Sequence, residues 1–140
     1  IVEIPTVYGG EYGPDLDYVA EHVGITRDEV IKIHSSVSYK VYMIGFSPGF
    51  PYLGGMEKKI SCPRLQKPRL RIPKGSVGIA GDQTGIYPSE SPGGWRLIGR
   101  TPKTLFDVNC QPPVIILPGS YVKFIPINSD EFNSMAQGSL

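Results

Sequence analysis

The sequence predicts a mainly β chain, an antiparallel sandwich or barrel carrying two short helices near its N-terminus. Three observations lead there. Gly 17 and Pro 14 are both high for 140 residues, which marks many turns rather than disorder, because apolar runs lie between them. Those runs have strand length and are bounded by Gly or Pro at the spacing of all-β domains. Two early segments instead carry the apolar stripe of a helix.

"IVEIPTVYGG" alternates and stops at paired glycines, as a first strand does. Pro14 then starts a helix as a first-turn proline, with Asp15 and Asp17 favouring its dipole. Leu16, Val19, Ala20 and Val23 form its stripe, and Gly24 closes it, so the helix spans Pro14–Val23. A second helix, Thr26–His34, opens on a Thr26/Glu29 capping box with Ile25 and Val30 as the hydrophobic staple. From Tyr39 the pattern changes. "YKVYMIGF", "GSVGIAG", "TGIYP", "WRLIGR" and "VIILPGSYVKFIPI" read as strands. The tail "SDEFNSMAQGSL" has a helix start at Ser129 and then frays.

With 14 Lys+Arg against 13 Asp+Glu, the net charge gives no reason to expect nucleic acid or a membrane surface as partner. The basic residues are nonetheless crowded: Lys58, Lys59, Arg64, Lys67, Arg69, Arg71 and Lys74 run without an acid between them. Two readings stand open for that run. One is a solvated loop or edge strand whose lysines discourage aggregation; the other is an edge that binds anions or carboxylates. Cys62 and Cys110 make neither a disulfide framework nor a metal pattern, and a reduced, cytoplasmic protein is the simpler account. No apolar run reaches the roughly 20 residues of a membrane helix.

"GFSPG" at Gly45–Gly49 matches the G-x-S-x-G pattern of a serine hydrolase, and the context rejects it. The residue after a nucleophilic serine supplies an oxyanion-hole N–H, and here it is Pro48, which has none. "GFPYLGG" does not open the helix an elbow needs, and both histidines precede Ser47. No phosphate loop, dinucleotide fingerprint or metal-ligand spacing occurs elsewhere.

What remains is a set of polar and aromatic side chains beside tight turns: His34, Gln83, Thr84, Tyr87, Ser91, Trp95, Arg100 and Thr101. Aromatics with an arginine and an amide suit a small carboxylate or amide ligand. Each also has a plain structural reading. His34 ends a helix, where histidines cap carbonyls. Trp95 and Tyr87 are residues that pack, and Gln83 can bond its own turn.

"YGGEYGPDL", "IGFSPGFPYLGG", "PRLQKPRLRIPKGSVGIAGDQTGIYP" and "SPGGWRLIGRTP", in this order, resemble one family. It holds the 5-oxoprolinase B subunit, allophanate hydrolase subunit 1 and the KipI-type inhibitors of sporulation histidine kinases. The resemblance runs from Val2 to about Ile127, and "MEKKIS" is most similar to the KipI-type inhibitors. It implies a cyclophilin-like fold, a closed antiparallel β-barrel with two short helices, for residues 1–140. That unit is expected to be the C-terminal half of the family's longer chain, whose N-terminal α/β domain is absent here.

Carried over by motif, the resemblance places Phe46, Pro48, Phe50, Tyr52, Arg69, Gln83, Thr84, Tyr87 and Trp95 around a substrate- or partner-binding cleft. His34, Arg64 and Arg100 are its catalytic candidates, His34 as acid/base and an arginine as carboxylate or phosphate partner. No metal and no cofactor are implied for this chain. "GGMEKKISC" departs from the family's leucine-proline spacing.

The resemblance implies two functions. One is inhibition of a histidine kinase through its dimerisation domain. The other is membership, with A-type and C-type (KipA-like) partner subunits, of an ATP-dependent 5-oxoprolinase that opens a cyclic amide to glutamate. A urea- or allophanate-type carboxyltransferase or hydrolase component is the alternative. Peptidyl-prolyl isomerase activity rests on fold analogy alone, and is expected to be absent.

Overall fold

The computed structural model describes residues 1–42, 52–103 and 119–138. In chain order the elements are β1 (Val2–Tyr8), α1 (Leu16–Val23), α2 (Arg27–Ser35), β2 (Tyr39–Tyr42), β3 (Tyr52–Gly54), a 3-10 turn (Lys58–Ile60), β4 (Arg69–Ile72), β5 (Ser76–Ala80), β6 (Gln83–Ile86), β7 (Ser91–Gly93), β8 (Arg96–Arg100), β9 (Tyr121–Ile127) and α3 (Ser129–Gly138).

Seven strands close a barrel in the order β1-β8-β5-β6-β3-β2-β9, and β4 with β7 forms a separate two-stranded ribbon. The expectation of a mainly β closed barrel holds. Its neighbours pair antiparallel except at the seam, where β1 and β9 run parallel from Val2↔Val122 to Val7↔Ile127. Strands joined by the whole intervening fold are free of the hairpin constraint that makes neighbours antiparallel.

Both N-terminal helices form where their caps put them. Thr26 accepts the Glu29 N–H at 3.1 Å and Glu29 accepts back from the Thr26 N–H at 3.4 Å, completing the capping box. Gly24, at φ 78°, ends α1 in the left-handed region. α1 begins at Leu16 rather than Pro14, because Asp15 is its N-cap residue and turns its carboxylate away from the helix. A third helix, α3, does start at Ser129, on an Asn128/Glu131 box in which each backbone N–H donates to the other side chain. None of the helices among the described residues is long and apolar enough to cross a membrane.

The interior core takes Ile4 from β1, Val77 and Ile79 from β5, Ile86 from β6, Ile98 from β8 and Phe124 from β9. Leu16, Val19 and Val30 bring α1 and α2 onto it, with Ile60 of the 3-10 turn beside them. A second, smaller cluster joins Ile72, Ala80, Tyr87, Trp95 and Leu97, with Tyr52 packed against it. Side chains alternate across a strand. Val77, Ile79, Thr84 and Ile86 point into the barrel, so Gly78, Ala80, Gly85 and Tyr87 face outward. The second cluster therefore lies on the outer wall, under the β4–β7 ribbon. Pro92 sits within β7, an edge position that has no ladder partner to lose.

Candidate functional site

On that outer wall Arg64, Pro68, Pro92, Gly93, Gly94 and Trp95 line a cleft of about 250 Å³. Its floor depends on missing side chains. A Cβ on Gly78 would stand 3.0 Å from the Trp95 Cβ and 3.2 Å from the Arg96 carbonyl oxygen, so any side chain there would crowd the tryptophan against β5. A Cβ on Gly93 would collide with the Tyr87 hydroxyl. Trp95 is 2% exposed, and its indole meets the Tyr52 ring at 5.6 Å between centroids. Two backbone anchors bring Arg64 to the rim. The Leu65 N–H donates to the Gly94 carbonyl at 2.8 Å, and Arg96 Nε donates to the Pro63 carbonyl at 3.0 Å. Burial pushes the Tyr87 phenol up to about 12, with the Trp95 backbone and the Arg64 charge working the other way.

Arg64 forms no ion pair among the described residues, unlike its neighbour Arg69. Arg69 is held two-pronged by Asp15, Nη1 to Oδ2 at 2.7 Å and Nη2 to Oδ1 at 2.8 Å. Asp15 Oδ2 also accepts the Leu97 N–H at 2.8 Å. The Asp15 hydrogen bond raises the Arg69 pKa further above its usual range. One carboxylate thus ties β4, the start of α1 and β8 together. Asp15 carried no sequence signal beyond its place at a helix start, because its partner lies 54 residues away.

His34 and Thr84 are inside the barrel, not at the cleft surface. Both are fully buried. Tyr8 Oη lies 2.7 Å from His34 Nδ1, and Thr84 Oγ1 lies 2.9 Å from His34 Nε2. The Thr84 hydroxyl donates its only proton to the Gly78 carbonyl at 2.8 Å, so it accepts from the histidine. That fixes the tautomer: Nε2 carries the hydrogen and Nδ1 accepts from the Tyr8 hydroxyl. Phe124, at 4.5 Å, and Tyr39, at 5.5 Å, pack around the ring. Burial holds His34 far below the usual histidine range, at about 3, and raises the Tyr8 phenol well above its ordinary value. Both nitrogens are occupied by the core. The signal for this was present in the sequence, since His34 follows the staple residue Val30 by four positions and so shares its buried helix face.

Gln83 and Arg100 share the outer wall but stand at opposite ends of β5, paired with Ala80 and Ser76 respectively. That separation is about 13 Å along the strand at the rise of a β-strand. Gln83 is exposed at the β5–β6 turn. Arg100 lays its guanidinium over the Tyr12 ring at 5.3 Å, away from Trp95. The structure therefore groups Arg64, Tyr52, Tyr87 and Trp95, keeps Arg69 beneath them in a structural pair, and separates His34, Thr84, Gln83 and Arg100. Phe46, Pro48 and Phe50, like Ser47 and Cys110, lie outside the described residues. Among the described residues no group of three or more His, Cys, Asp or Glu is placed to hold a metal ion.

What the cleft offers is recognition: a rim guanidinium for an anionic group, beside Pro68 and Pro92 and over a tryptophan that is almost wholly covered.

The family described as "Carboxyltransferase domain, subdomain C and D" matches residues 1–116. The 5-oxoprolinase B subunit of Bacillus subtilis is 52% identical over 139 residues, covering 99% of this chain. The chain spans 58% of that relative's length. Among solved structures, a conserved uncharacterized protein of Pyrococcus horikoshii is 60% identical with a TM-score of 0.87, over 94% of this chain and 61% of that one. The urea amidolyase of K. lactis superposes with a TM-score of 0.85 at 23% identity, over 99% of this chain and 10% of that one, a likeness of fold. The chain belongs to the carboxyltransferase subdomain C and D family, among relatives of the 5-oxoprolinase B subunit.

Proposed function

We propose that this chain is the barrel portion of a 5-oxoprolinase B subunit, and that its outer-wall cleft forms one wall of an active site shared with partner subunits. The observation that carries this reading is a cleft lined by Trp95, Pro68 and Pro92 with the Arg64 guanidinium at its rim, which forms no ion pair among the described residues. 5-oxoproline is a flat five-membered lactam bearing a carboxylate, and such a cleft fits both of its parts. In this reading Pro68, Pro92 and the exposed edge of Trp95 bound the lactam ring and Arg64 takes the carboxylate. A-type and C-type partner subunits bring the remaining groups, and ATP is a co-substrate of the assembly. High identity to the B subunit of Bacillus subtilis supports the assignment; the urea amidolyase relative shares fold only, so a urea-type reaction is the second choice.

Reconstitution tests the proposal. The chain alone should neither hydrolyse ATP nor open 5-oxoproline. With the partner subunits and the rest of the B subunit supplied, glutamate should form from 5-oxoproline and ATP. Turnover by the isolated chain, or none by the assembly, would remove the shared-site reading. The kinase-inhibitor reading needs exposed aromatic anchors, which dominate protein interfaces, and of Tyr52, Tyr87 and Trp95 only Tyr52 is more than marginally exposed. Adding the chain to a sporulation histidine kinase and following autophosphorylation separates it from the enzyme reading.

A further inference from the structure

The buried contacts of Thr84 bear on the cleft from behind. The β5–β8 ladder slips between Val77 and Gly78, where partners jump from Gly99 to Leu97. The extra residue is Ile98 on β8, whose carbonyl accepts the Gly9 N–H at 3.0 Å; on the facing strand β5 the Thr84 hydroxyl donates to the Gly78 carbonyl at 2.8 Å. A free hydroxyl rotates among several directions, but this one does not. His34 Nε2–H occupies its acceptor side, so the proton is left pointing at Gly78. Gly78 in turn is the residue against which Trp95 lies, within a few tenths of an ångström of clash if any side chain were added.

We propose that Thr84 and His34 are positioning residues for the cleft: their buried hydrogen-bond chain from Tyr8 to the Gly78 carbonyl fixes β5, opposite the bulge of β8, where Trp95 rests. This rests on the outer-wall cleft being the ligand site, and it assigns to two interior residues a role in ligand affinity. Close packing makes such transmission direct, because a well-packed interior passes a shift in one strand to its neighbour. Removing the Thr84 hydroxyl takes the side-chain donor from the Gly78 carbonyl and the acceptor from the histidine N–H, so β5 relaxes and the indole moves with it.

Trp95 is the single tryptophan of the chain, so its emission reports on the cleft without a label. Thr84→Val keeps the shape and loses both hydrogen bonds, whereas Thr84→Ser keeps them. Val30→Ala, on the buried face of α2 and away from the outer wall, serves as a destabilised control. Thr84→Val should shift the Trp95 emission and, in the reconstituted enzyme, raise KM for 5-oxoproline about tenfold with kcat nearly unchanged, the pattern of lost ground-state binding. Thr84→Ser should restore both values, and Val30→Ala should lower stability while leaving the emission in place. If Thr84→Val and Val30→Ala behave alike at equal stability, the positioning role is wrong. Should Thr84→Val not fold, nitrogen NMR of the wild-type imidazole decides: hydrogen on Nε2 supports the chain of bonds and hydrogen on Nδ1 overturns it. Emission is read without partner subunits, so a reconstituted complex with no 5-oxoprolinase activity would count against the function and not against the positioning.

Discussion

Replacing Asp15 by alanine should cost about 3 kcal/mol or more of stability, the usual consequence of removing one partner from a largely buried ion pair. The side chain is 10% exposed and that of its partner Arg69 28%, so little solvent screens what remains. Three groups lose their acceptor together: both Arg69 Nη atoms and the Leu97 N–H. The expected drop in melting temperature is about 10 °C for a chain of this size. Most of it should come from leaving a guanidinium desolvated and alone, not from losing attraction. A double substitution, Asp15→Ala with Arg69→Met, should therefore be less damaging than the sum of the two single changes, by about 1 kcal/mol or more. Thermal unfolding of the four proteins in the cycle gives this directly; strict additivity would mean that the pair is not the tie between β4, α1 and β8 described above.

The second large effect is acid sensitivity arising from His34. Its folded pKa, about 3, lies below the unfolded value of roughly 6.5. Between these values the unfolded chain binds a proton that the folded chain refuses, so stability is fully present above the unfolded pKa and falls as pH drops through the window. Between pH 7 and pH 5 this one group should remove about 2 kcal/mol. His22 is exposed at the end of α1 and leaves the argument untouched. Urea unfolding at the two pH values, for the wild type and for His34→Gln, isolates the contribution. The wild type should lose about 2 kcal/mol more than the variant on acidification; equal losses would place the imidazole in contact with solvent or with a charge.

Much of the fold was legible where the signal is local. The Thr26 box, the Gly24 cap and the Ser129 start need only residues within one turn, and each formed as read. Strands bounded by glycine and proline were also found, apart from three. β3 hides in "GFPYLGG", whose prolines and glycines read as turn, and β7 contains Pro92. β4 lies in the basic run, where Arg69–Ile72 does alternate but its two apolar residues part company, Leu70 88% exposed and Ile72 buried. The parallel seam between β1 and β9 has no local signature at all, because it is set by closure of the barrel.

The site was legible as a list of residue types but not as a place. Tyr87 and Trp95 take the packing role offered for them, buried in the second cluster behind the cleft with Tyr52 against them. Arg64 and Arg69 look equivalent in sequence, yet one guanidinium is taken by Asp15 and the other is left at the rim. That difference depends on a contact spanning 54 residues. His34 could be placed inside from its spacing to Val30, but nothing local marks Thr84, a polar residue beside a turn, as its buried partner. Only the reciprocal hydrogen bonds among Tyr8, His34, Thr84 and Gly78 offset the cost of burying them.

Arg64→Gln in the reconstituted enzyme tests the central claim most directly. Arg64 is exposed at the cleft rim, so the change leaves the fold in place, and the melting temperature confirms that it has. If the cleft holds 5-oxoproline by its carboxylate, the lost charge-assisted hydrogen bond of about 1.5–3 kcal/mol should raise KM for 5-oxoproline by about tenfold to a hundredfold. A KM equal to that of the wild type, in an assembly that turns over normally, would contradict the assignment of this wall to the substrate.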